Sequence, residues 1–91
     1  MAEEQRIVQF HGNVQGVGFR YTTARLAERY DVAGTVRNCP DGRVEVVVEG
    51  DGKEIDAFLS GIQGEMSRHI RDVQQQKAPP SGKHQSFRVV Y

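Results

Sequence analysis

The segment Gly12–Arg20, which reads GNVQGVGFR, places three glycines and one arginine just ahead of a predicted helix. Glycine reaches backbone angles that other residues avoid, so the amides from Gln15 to Phe19 can converge there. Converging amides at a helix N-terminus bind anions such as phosphate, and the planar guanidinium of Arg20 can hold two oxygens of one phosphoryl group. A glycine-rich turn beside an ordinary surface arginine is the alternative, and this segment alone leaves both interpretations open.

Two better-known phosphate signatures do not fit this chain. The pair Gly16 and Gly18 lacks the third glycine of a dinucleotide-binding fingerprint, because Tyr21 stands in its place. The later Gly-Lys pair is followed by His84, where a P-loop would have serine or threonine. Any phosphate site in the first segment must therefore be of another kind.

A second candidate side chain, Asn38, lies in the segment GTVRNCPDG, Gly34–Gly42, just ahead of a predicted turn. Asparagine before a turn commonly imitates a backbone hydrogen bond, and alone Asn38 favours that interpretation. Its amide also offers both a donor and an acceptor. Beside a phosphoryl group held by Arg20, such an amide could orient an attacking water molecule. Arg20 and Asn38 together favour a phosphoryl-transfer site more strongly than either residue does alone.

The other residues with catalytic potential lack partners in the sequence. His11, His69 and His84 have no carboxylate at a recognisable spacing, so we expect none of them to act as a base. Cys39 adjoins Asn38 but has no evident base, which favours a small buried or turn cysteine. One cysteine cannot form an internal disulfide, and no second cysteine or paired histidine gives metal-ligand spacing. We therefore predict no metal and no cofactor.

Hydrophobic periodicity predicts the elements that carry these residues. Predicted strands cover Arg6–His11, Ala33–Asn38, Arg43–Glu49, Ile70–Gln76 and, last, Phe87–Tyr91. A first helix covers Tyr21–Tyr30, and a second carries the apolar stripe Ile55, Phe58, Leu59 and Ile62, with Asp51 as its N-cap and Gly64 as its stop. Broken alternation at Ile70 and Val73 indicates a bulge in the fourth strand.

The predicted element order is β-α-β-β-α-β followed by a short terminal strand. This order matches a ferredoxin-like α+β sandwich, in which an antiparallel sheet carries two helices on one face. In the third strand Val44, Val46 and Val48 share one face and glutamates share the other. We therefore expect the helices to cover the valine face.

Size and charge limit the function classes. A chain of 91 residues fits a single domain, residues 1–91. Twelve Lys and Arg residues against twelve Asp and Glu residues leave no net positive field for a polyanion, so no nucleic-acid partner is expected. No apolar run approaches the roughly 20 residues of a membrane helix, and the acidic start MAEEQ is no signal peptide. We expect a cytoplasmic monomer with no membrane partner.

The segments GNVQGVGFR and GTVRNCPDGRV resemble the two signature motifs of the acylphosphatase family, and their spacing and the element order match as well. The resemblance implies that the phosphate-binding residues are Gln15, Gly16, Val17, Gly18, Phe19 and Arg20. It implies that Arg20 is the principal phosphate ligand and that Asn38 positions the nucleophilic water. The implied reaction is hydrolysis of the carboxyl-phosphate bond of small acyl phosphates to carboxylate and inorganic phosphate, without a metal. Thr35 stands where the family usually has an aromatic residue, which leaves substrate preference open.

The implied chemistry needs few protein groups. The leaving group of an acyl phosphate is a carboxylate whose conjugate acid has a pKa of about 4, so it departs without receiving a proton. Positioned amides and one arginine can supply the charge stabilisation that phosphoryl transfer needs.

Two other functions fit the same fold. One is a non-catalytic regulatory module that binds an acyl phosphate or phosphate without useful turnover. The other is RNA binding, because GVGFRY resembles the glycine-aromatic motif of an RNA-recognition strand. That segment precedes a helix, however, and the predicted third strand RVEVVVE has no aromatic residue, so RNA binding is disfavoured.

Overall fold

The computed structural model describes residues 3–91 of the chain. These residues form β1 (Glu3–Gly12), α1 (Phe19–Ala27), β2 (Val32–Asn38), β3 (Val44–Asp51), α2 (Gly52–Glu65), β4 (Ile70–Ala78) and β5 (Phe87–Val89). The strands make one sheet in the order β4-β1-β3-β2-β5. The predicted βαββαβ order with a short last strand is confirmed.

The sheet is mixed, whereas the prediction was an antiparallel sheet. The first four strands do pair antiparallel, β1 with both β3 and β4, and β3 with β2. The last strand, β5, pairs parallel to β2, with Gly34 opposite Phe87 and Val36 opposite Val89. The reason is geometric: β4 ends at the end of the sheet where β2 begins, so the connecting loop delivers β5 in the direction of β2.

One face of the sheet carries the core, as the valine pattern predicted. Strand residues that alternate along the chain are fully buried on this face: Val8, Phe10, Val36, Val44, Val46 and Val48. The helices cover them with Phe19, Leu26, Ile55, Phe58, Leu59 and Ile62. Burying apolar area at roughly 25 cal/mol per Å² makes this layer the main source of stability, and it holds both helices against one side of the sheet.

The start of α2 follows the prediction and its end does not. The Asp51 side chain accepts a hydrogen bond from the amide of Lys53 at 3.4 Å, so it caps the helix as expected. The predicted stop at Gly64 is wrong, because Gly64 has no positive φ and the helix continues to Glu65. With 14 residues, α2 is the longest helix in residues 3–91, and none of their helices is long and apolar enough to cross a bilayer.

The first helix is shifted relative to its predicted range of Tyr21–Tyr30. It begins earlier, at Phe19, because Gly18 adopts a left-handed conformation that serves as the N-cap. It ends earlier, at Ala27, because the following amides bond to carbonyls three residues back, including that of Tyr30 to Ala27 at 3.2 Å. Tyr30 still packs against the core, which is why the apolar spacing continued past the helix.

The bulge predicted in β4 is present. His11 pairs with Asp72 while Gly12 pairs with Ile70, so Arg71 is the extra residue. A Cβ atom on Gly12 would lie 2.3 Å from the carbonyl oxygen of His69, so only glycine fits at this contact. The bulge thus anchors the chain where it leaves β1 for the loop ahead of α1.

Candidate active site

Four parts of the chain meet at one end of the sheet. Strand β1 ends there, α1 begins there, and β2 and β5 both end there. A cavity of about 220 Å³ opens between them, lined by Val14, Gly16, Gly18, Phe19, Arg20, Tyr21, Asn38, Val89 and Tyr91. The fold therefore brings two sequence motifs that are distant in the chain to one cavity.

Most of the sequence-predicted site residues line this cavity. From the first motif Gly16, Gly18, Phe19 and Arg20 do so, and from the second motif Asn38 does. Gln15 and Val17 are not among the lining residues. The side chain of Val17 packs against the core, and the side chain of Gln15 reaches the turn between β2 and β3.

The loop between β1 and α1, residues 13–18, is called the glycine loop below. Gly16 and Gly18 have φ angles of 77° and 79°, which lie in the left-handed region. A Cβ on either residue would meet nothing within 4 Å, so glycine is required for the backbone angle and not for space. These angles let the loop turn tightly into the start of α1.

The amides at this turn lack protein partners. The N-cap residue Gly18 has no side chain to cap the helix. The first amide of α1 that makes a helical hydrogen bond is that of Thr22, which donates to the carbonyl oxygen of Gly18 at 2.9 Å. Within residues 3–91, the amides from Gln15 to Tyr21 donate to no backbone or side-chain acceptor. Free amides at the positive end of a helix dipole favour an anion in the cavity.

Arg20 adds a full positive charge to the cavity. It is half-buried in the first turn of α1, and its guanidinium carbon lies 4.9 Å from the centroid of the Tyr91 ring. Among the ion pairs of residues 3–91, none involves Arg20. Its charge is therefore not neutralised by a neighbouring carboxylate and is available to an anion.

Asn38 ends β2, where it pairs with Val44 of β3. Asn38 lines the cavity, and its side chain makes no hydrogen bond with any group of residues 3–91. The backbone-mimicking role that asparagine often takes before a turn is thus not the one seen here. The amide is free to bind a water molecule or a ligand.

The turn that follows Asn38 is held by side chains. Arg43 donates to the Asp41 carboxylate at 2.7 Å and to the Gln9 side-chain oxygen at 2.8 Å. The hydrogen bonds from the backbone and side chain of Arg43 outweigh desolvation and hold the pKa of the Asp41 carboxyl below its usual range. Asp41 therefore stays ionised and paired at neutral pH.

The turn is also tied to the glycine loop. The Gln15 side-chain nitrogen donates to the carbonyl oxygens of Cys39 at 2.8 Å and Arg43 at 2.9 Å. Cys39 is 3% exposed, in agreement with the prediction of a small buried cysteine. It does not line the cavity.

The three histidines lie outside the cavity lining. His11 has a buried Nε2 without a hydrogen-bond partner in the described residues. The backbone carbonyl of His69 accepts a hydrogen bond from the amide of Asn13. The Nε2 atom of His84 lies 3.9 Å from a carboxylate oxygen of Glu49. No group of three or more His, Cys, Asp or Glu side chains that could hold a metal ion occurs within residues 3–91. Among the described residues that line the cavity, Arg20 of the first motif is therefore the one with a charged side chain.

Two tyrosines and two valines of the lining were missed by the sequence analysis. Val14 is fully buried, and an apolar residue inside a glycine-rich loop was a usable signal. Val89 and Tyr91 had no such signal, because their place depends on where β5 pairs. Tyr21 follows Arg20 in the first turn of α1, and no local pattern marked it as a site residue. Thr35, the departure from the family pattern, lies on β2 opposite Val47 and is not among the lining residues.

Comparison with known proteins shows relatives over the full length of the chain. The family model described as Acylphosphatase matches residues 6–89. The chain is 37% identical over 89 residues to the acylphosphatase of Clostridium acetobutylicum, covering 97% of this chain and 98% of that protein. It is 43% identical over 81 residues to the acylphosphatase of Archaeoglobus fulgidus, covering 88% and 90%.

Solved structures share the fold. The crystal structure of acylphosphatase from Bacillus subtilis superposes with a TM-score of 0.83 and 30% sequence identity, covering 99% of this chain and 100% of that one. Full-length HypF in its phosphate- and nucleotide-bound form gives a TM-score of 0.80 at 26% identity, covering 99% of this chain but 12% of that chain. With a family model and full-length relatives in agreement, this chain belongs to the acylphosphatase family.

Proposed function

We propose that this protein is an acylphosphatase, which hydrolyses the carboxyl-phosphate bond of small acyl phosphates to a carboxylate and inorganic phosphate. The observation that carries this proposal is that one cavity is lined by residues with unpaired amides, by Arg20 without an ion pair, and by Asn38. Membership of the family indicates the reaction class. The cavity has the hydrogen-bond donors and the positive charge that bind a phosphoryl group, together with an amide that can bind water.

The phosphoryl group of the substrate binds to the glycine loop and the start of α1. The amides from Gln15 to Phe19 donate to its oxygens, and the fork of Arg20 holds two of them. Charge on these oxygens changes as the phosphoryl group is transferred, and fixed donors stabilise it without reorganising. Arg20 is the main source of this stabilisation because it alone among these groups carries a full charge.

Asn38 orients the attacking water on the side of the phosphoryl group away from the carboxylate. Its side-chain oxygen accepts a hydrogen bond from the water, which fixes a lone pair towards phosphorus. The water oxygen forms a bond to phosphorus as the bond from phosphorus to the carboxylate oxygen breaks. The carboxylate leaves with the electron pair, and the protons of the water stay on the phosphate product or pass to solvent. No acid is needed for departure, because the conjugate acid has a pKa of about 4. The proposal therefore assigns no metal and no cofactor.

The test is phosphate release from a synthetic aromatic acyl phosphate in excess EDTA. We expect the wild type to be active and Arg20→Ala to lose on the order of a thousandfold in turnover. Arg20→Lys should remain strongly impaired, because the planar fork is lost while the charge is kept. Arg29→Ala removes an exposed arginine just beyond α1 and serves as the matched control, with turnover like the wild type.

Near wild-type turnover by a folded Arg20→Ala variant would refute the assignment of Arg20. Wild type that binds phosphate but releases none from the substrate would support the non-catalytic module instead. That alternative is not favoured, because relatives named acylphosphatase align with the chain throughout.

The same proposal includes a cytoplasmic monomer that acts as one domain, residues 1–91, without nucleic acid. Equal numbers of acidic and basic residues support the absence of a polyanion partner. One edge strand, β5, has three residues, and the other, β4, carries charged side chains, which both disfavour edge pairing between copies. Sedimentation equilibrium at micromolar concentration tests whether the protein is a monomer. Titration with single-stranded RNA tests the absence of a nucleic-acid partner.

A further inference from the structure

The geometry points to Gln15 as a positioning residue: its side chain clamps the turn after Asn38 to the glycine loop and so sets where Asn38 stands relative to bound phosphate. This inference rests on the function proposed above. It gives the Gln15 side chain a role distinct from that of the Gln15 backbone amide, which lies in the phosphate-binding segment.

The clamp consists of two hydrogen bonds from one nitrogen. Gln15 Nε2 lies 2.8 Å from the carbonyl oxygen of Cys39 and 2.9 Å from that of Arg43. Both acceptors are carbonyl oxygens, so the end of the amide that faces them must be the NH₂ group. Both of its hydrogens are therefore used, and no other neutral side chain of this length could donate to two carbonyls at once.

The two carbonyls also belong to the turn's own hydrogen bonds. The amide of Cys39 donates to Arg43 at 2.8 Å, and the amide of Gly42 donates to Cys39 at 3.1 Å. Each carbonyl oxygen thus accepts one bond from the turn and one from Gln15, which matches its two lone pairs. The half-buried Gln15 side chain thus supplies the second hydrogen bond that each of these two carbonyl oxygens accepts.

The clamp joins the two halves of the site through neighbours in the chain. Gln15 directly precedes Gly16, which lines the cavity, and Cys39 directly follows Asn38, which lines it from the other side. The Gln15 side chain itself is not part of the lining. It can therefore affect the reaction only by fixing the glycine loop and Asn38 relative to each other, and displacement of a reacting group by about 1 Å can cost a hundredfold in rate.

The variants are Gln15→Met, which keeps length without donors, and Gln15→Glu, which puts a carboxylate against two carbonyls. Gln63→Met, on the exposed side of α2, is the matched control. We expect Gln15→Met to lower kcat about tenfold, since the displaced group is Asn38. KM and the inhibition constant for inorganic phosphate should change by less than about twofold, and Gln15→Glu should be at least as impaired.

A double-mutant cycle with Asn38→Ala tests the route of the effect. With no Asn38 side chain left to misplace, Gln15→Met should lower kcat by less than about twofold in that background. A repeated tenfold loss there would overturn the inference, because Gln15 would then act independently of Asn38. Full kcat in Gln15→Met, or phosphate inhibition weakened as much as kcat, would overturn it as well.

A measurement without turnover separates this inference from the proposed function. In ¹⁵N-labelled protein, the Asn38 side-chain amide signals should shift in Gln15→Met and stay in place in Gln63→Met. Unchanged Asn38 signals in Gln15→Met refute the clamp even if the enzyme is active. Conversely, the wild type could prove inactive while Gln15→Met still shifts the Asn38 signals. That result would refute the proposed function and support the clamp.

Discussion

The guanidinium carbon of Arg20 lies 4.9 Å from the centroid of the Tyr91 ring, although the two residues are far apart in the sequence. A cation over the face of an aromatic ring is attracted by its quadrupole. The hydrogen-bonding fork of a guanidinium lies in its plane, so an aromatic neighbour can restrain the group and still leave its donors to an anion. Tyr91 stays fully exposed with this contact present, so the contact is the main interaction between its ring and the site.

Tyr91→Ala should therefore weaken substrate binding. An exposed cation–π contact contributes about 0.5–1 kcal/mol, so we expect KM and the inhibition constant for phosphate to rise roughly two- to fivefold, with kcat little changed. Tyr91→Phe keeps the ring and should behave like the wild type. Steady-state kinetics with an acyl phosphate measure both constants, and equal constants in wild type and Tyr91→Ala would show that the ring does not restrain Arg20.

Asn38→Ala should separate catalysis from phosphate binding. If Asn38 holds the water, its loss lowers kcat by about a hundredfold while phosphate inhibition weakens much less. Asn13→Ala is the control, because Asn13 is an exposed asparagine in the glycine loop that does not line the cavity. A loss of phosphate affinity equal to the loss in kcat would instead make Asn38 a phosphate ligand.

The parts of this protein that local patterns specify were predictable. The family, the ferredoxin-like order and the buried valine face follow from motifs and periodicity within short segments, and all three are confirmed. Arg20 and Asn38 share a cavity because each lies at the end of an element that the sequence defines well. Their assigned roles stay predictions until the variants are measured.

The parts that depend on long-range placement were not predictable. Tyr91 contacts Arg20 only because β5 pairs parallel to β2. The residue types of β5 do not predict whether this strand runs parallel or antiparallel to its neighbour. The end of α1 was missed for a different reason: Tyr30 continues the apolar spacing while its amide already bonds three residues back. Side-chain periodicity reports which residues face the core, and it does not report how the backbone is bonded.

Gly18 and Gly64 provide a matched pair of glycine substitutions. Gly18 has a φ of 79°, so Gly18→Ala should lower the free energy of unfolding by about 1–2 kcal/mol and weaken phosphate inhibition by distorting the loop. Gly64 lies inside α2 with open space for a Cβ, so Gly64→Ala should raise the free energy of unfolding by about 0.5–1 kcal/mol. Urea unfolding measures both, and a stabilised Gly18→Ala would show that the left-handed angle is not required.

The loop that leads to β5 is fastened to a single buried carboxylate, that of Glu49. The amides of Ser81 and Gly82 each donate to it at 3.1 Å, and the Ser81 hydroxyl donates as well. Burial alone would raise the pKa of Glu49, but these hydrogen bonds and the nearby His84 outweigh it and hold the pKa below its ordinary value. The ionised form is thus favoured by folding.

Because folding lowers the pKa of Glu49, the Glu49 carboxylate stabilises the fold at neutral pH more than in acid. A carboxyl whose pKa is lower in the folded state stabilises the fold above its unfolded pKa of about 4.3, and this contribution is lost as the pH falls through the folded pKa. Glu49→Gln should therefore lower the free energy of unfolding by roughly 1–3 kcal/mol at pH 7, because hydrogen bonds to a charged acceptor are lost. The difference from the wild type should shrink as the pH falls below about 4.

Urea midpoints at pH 7, 5 and 3 measure this change. The control is Glu65→Gln at the exposed end of α2, which should follow the wild-type curve at all three values. Because residues 79–86 deliver β5 to β2, Glu49→Gln should also raise KM in the manner of Tyr91→Ala, through looser placement of the Tyr91 ring. A constant stability difference between Glu49→Gln and the wild type from pH 7 to pH 3 would mean that ionisation of Glu49 does not hold the loop.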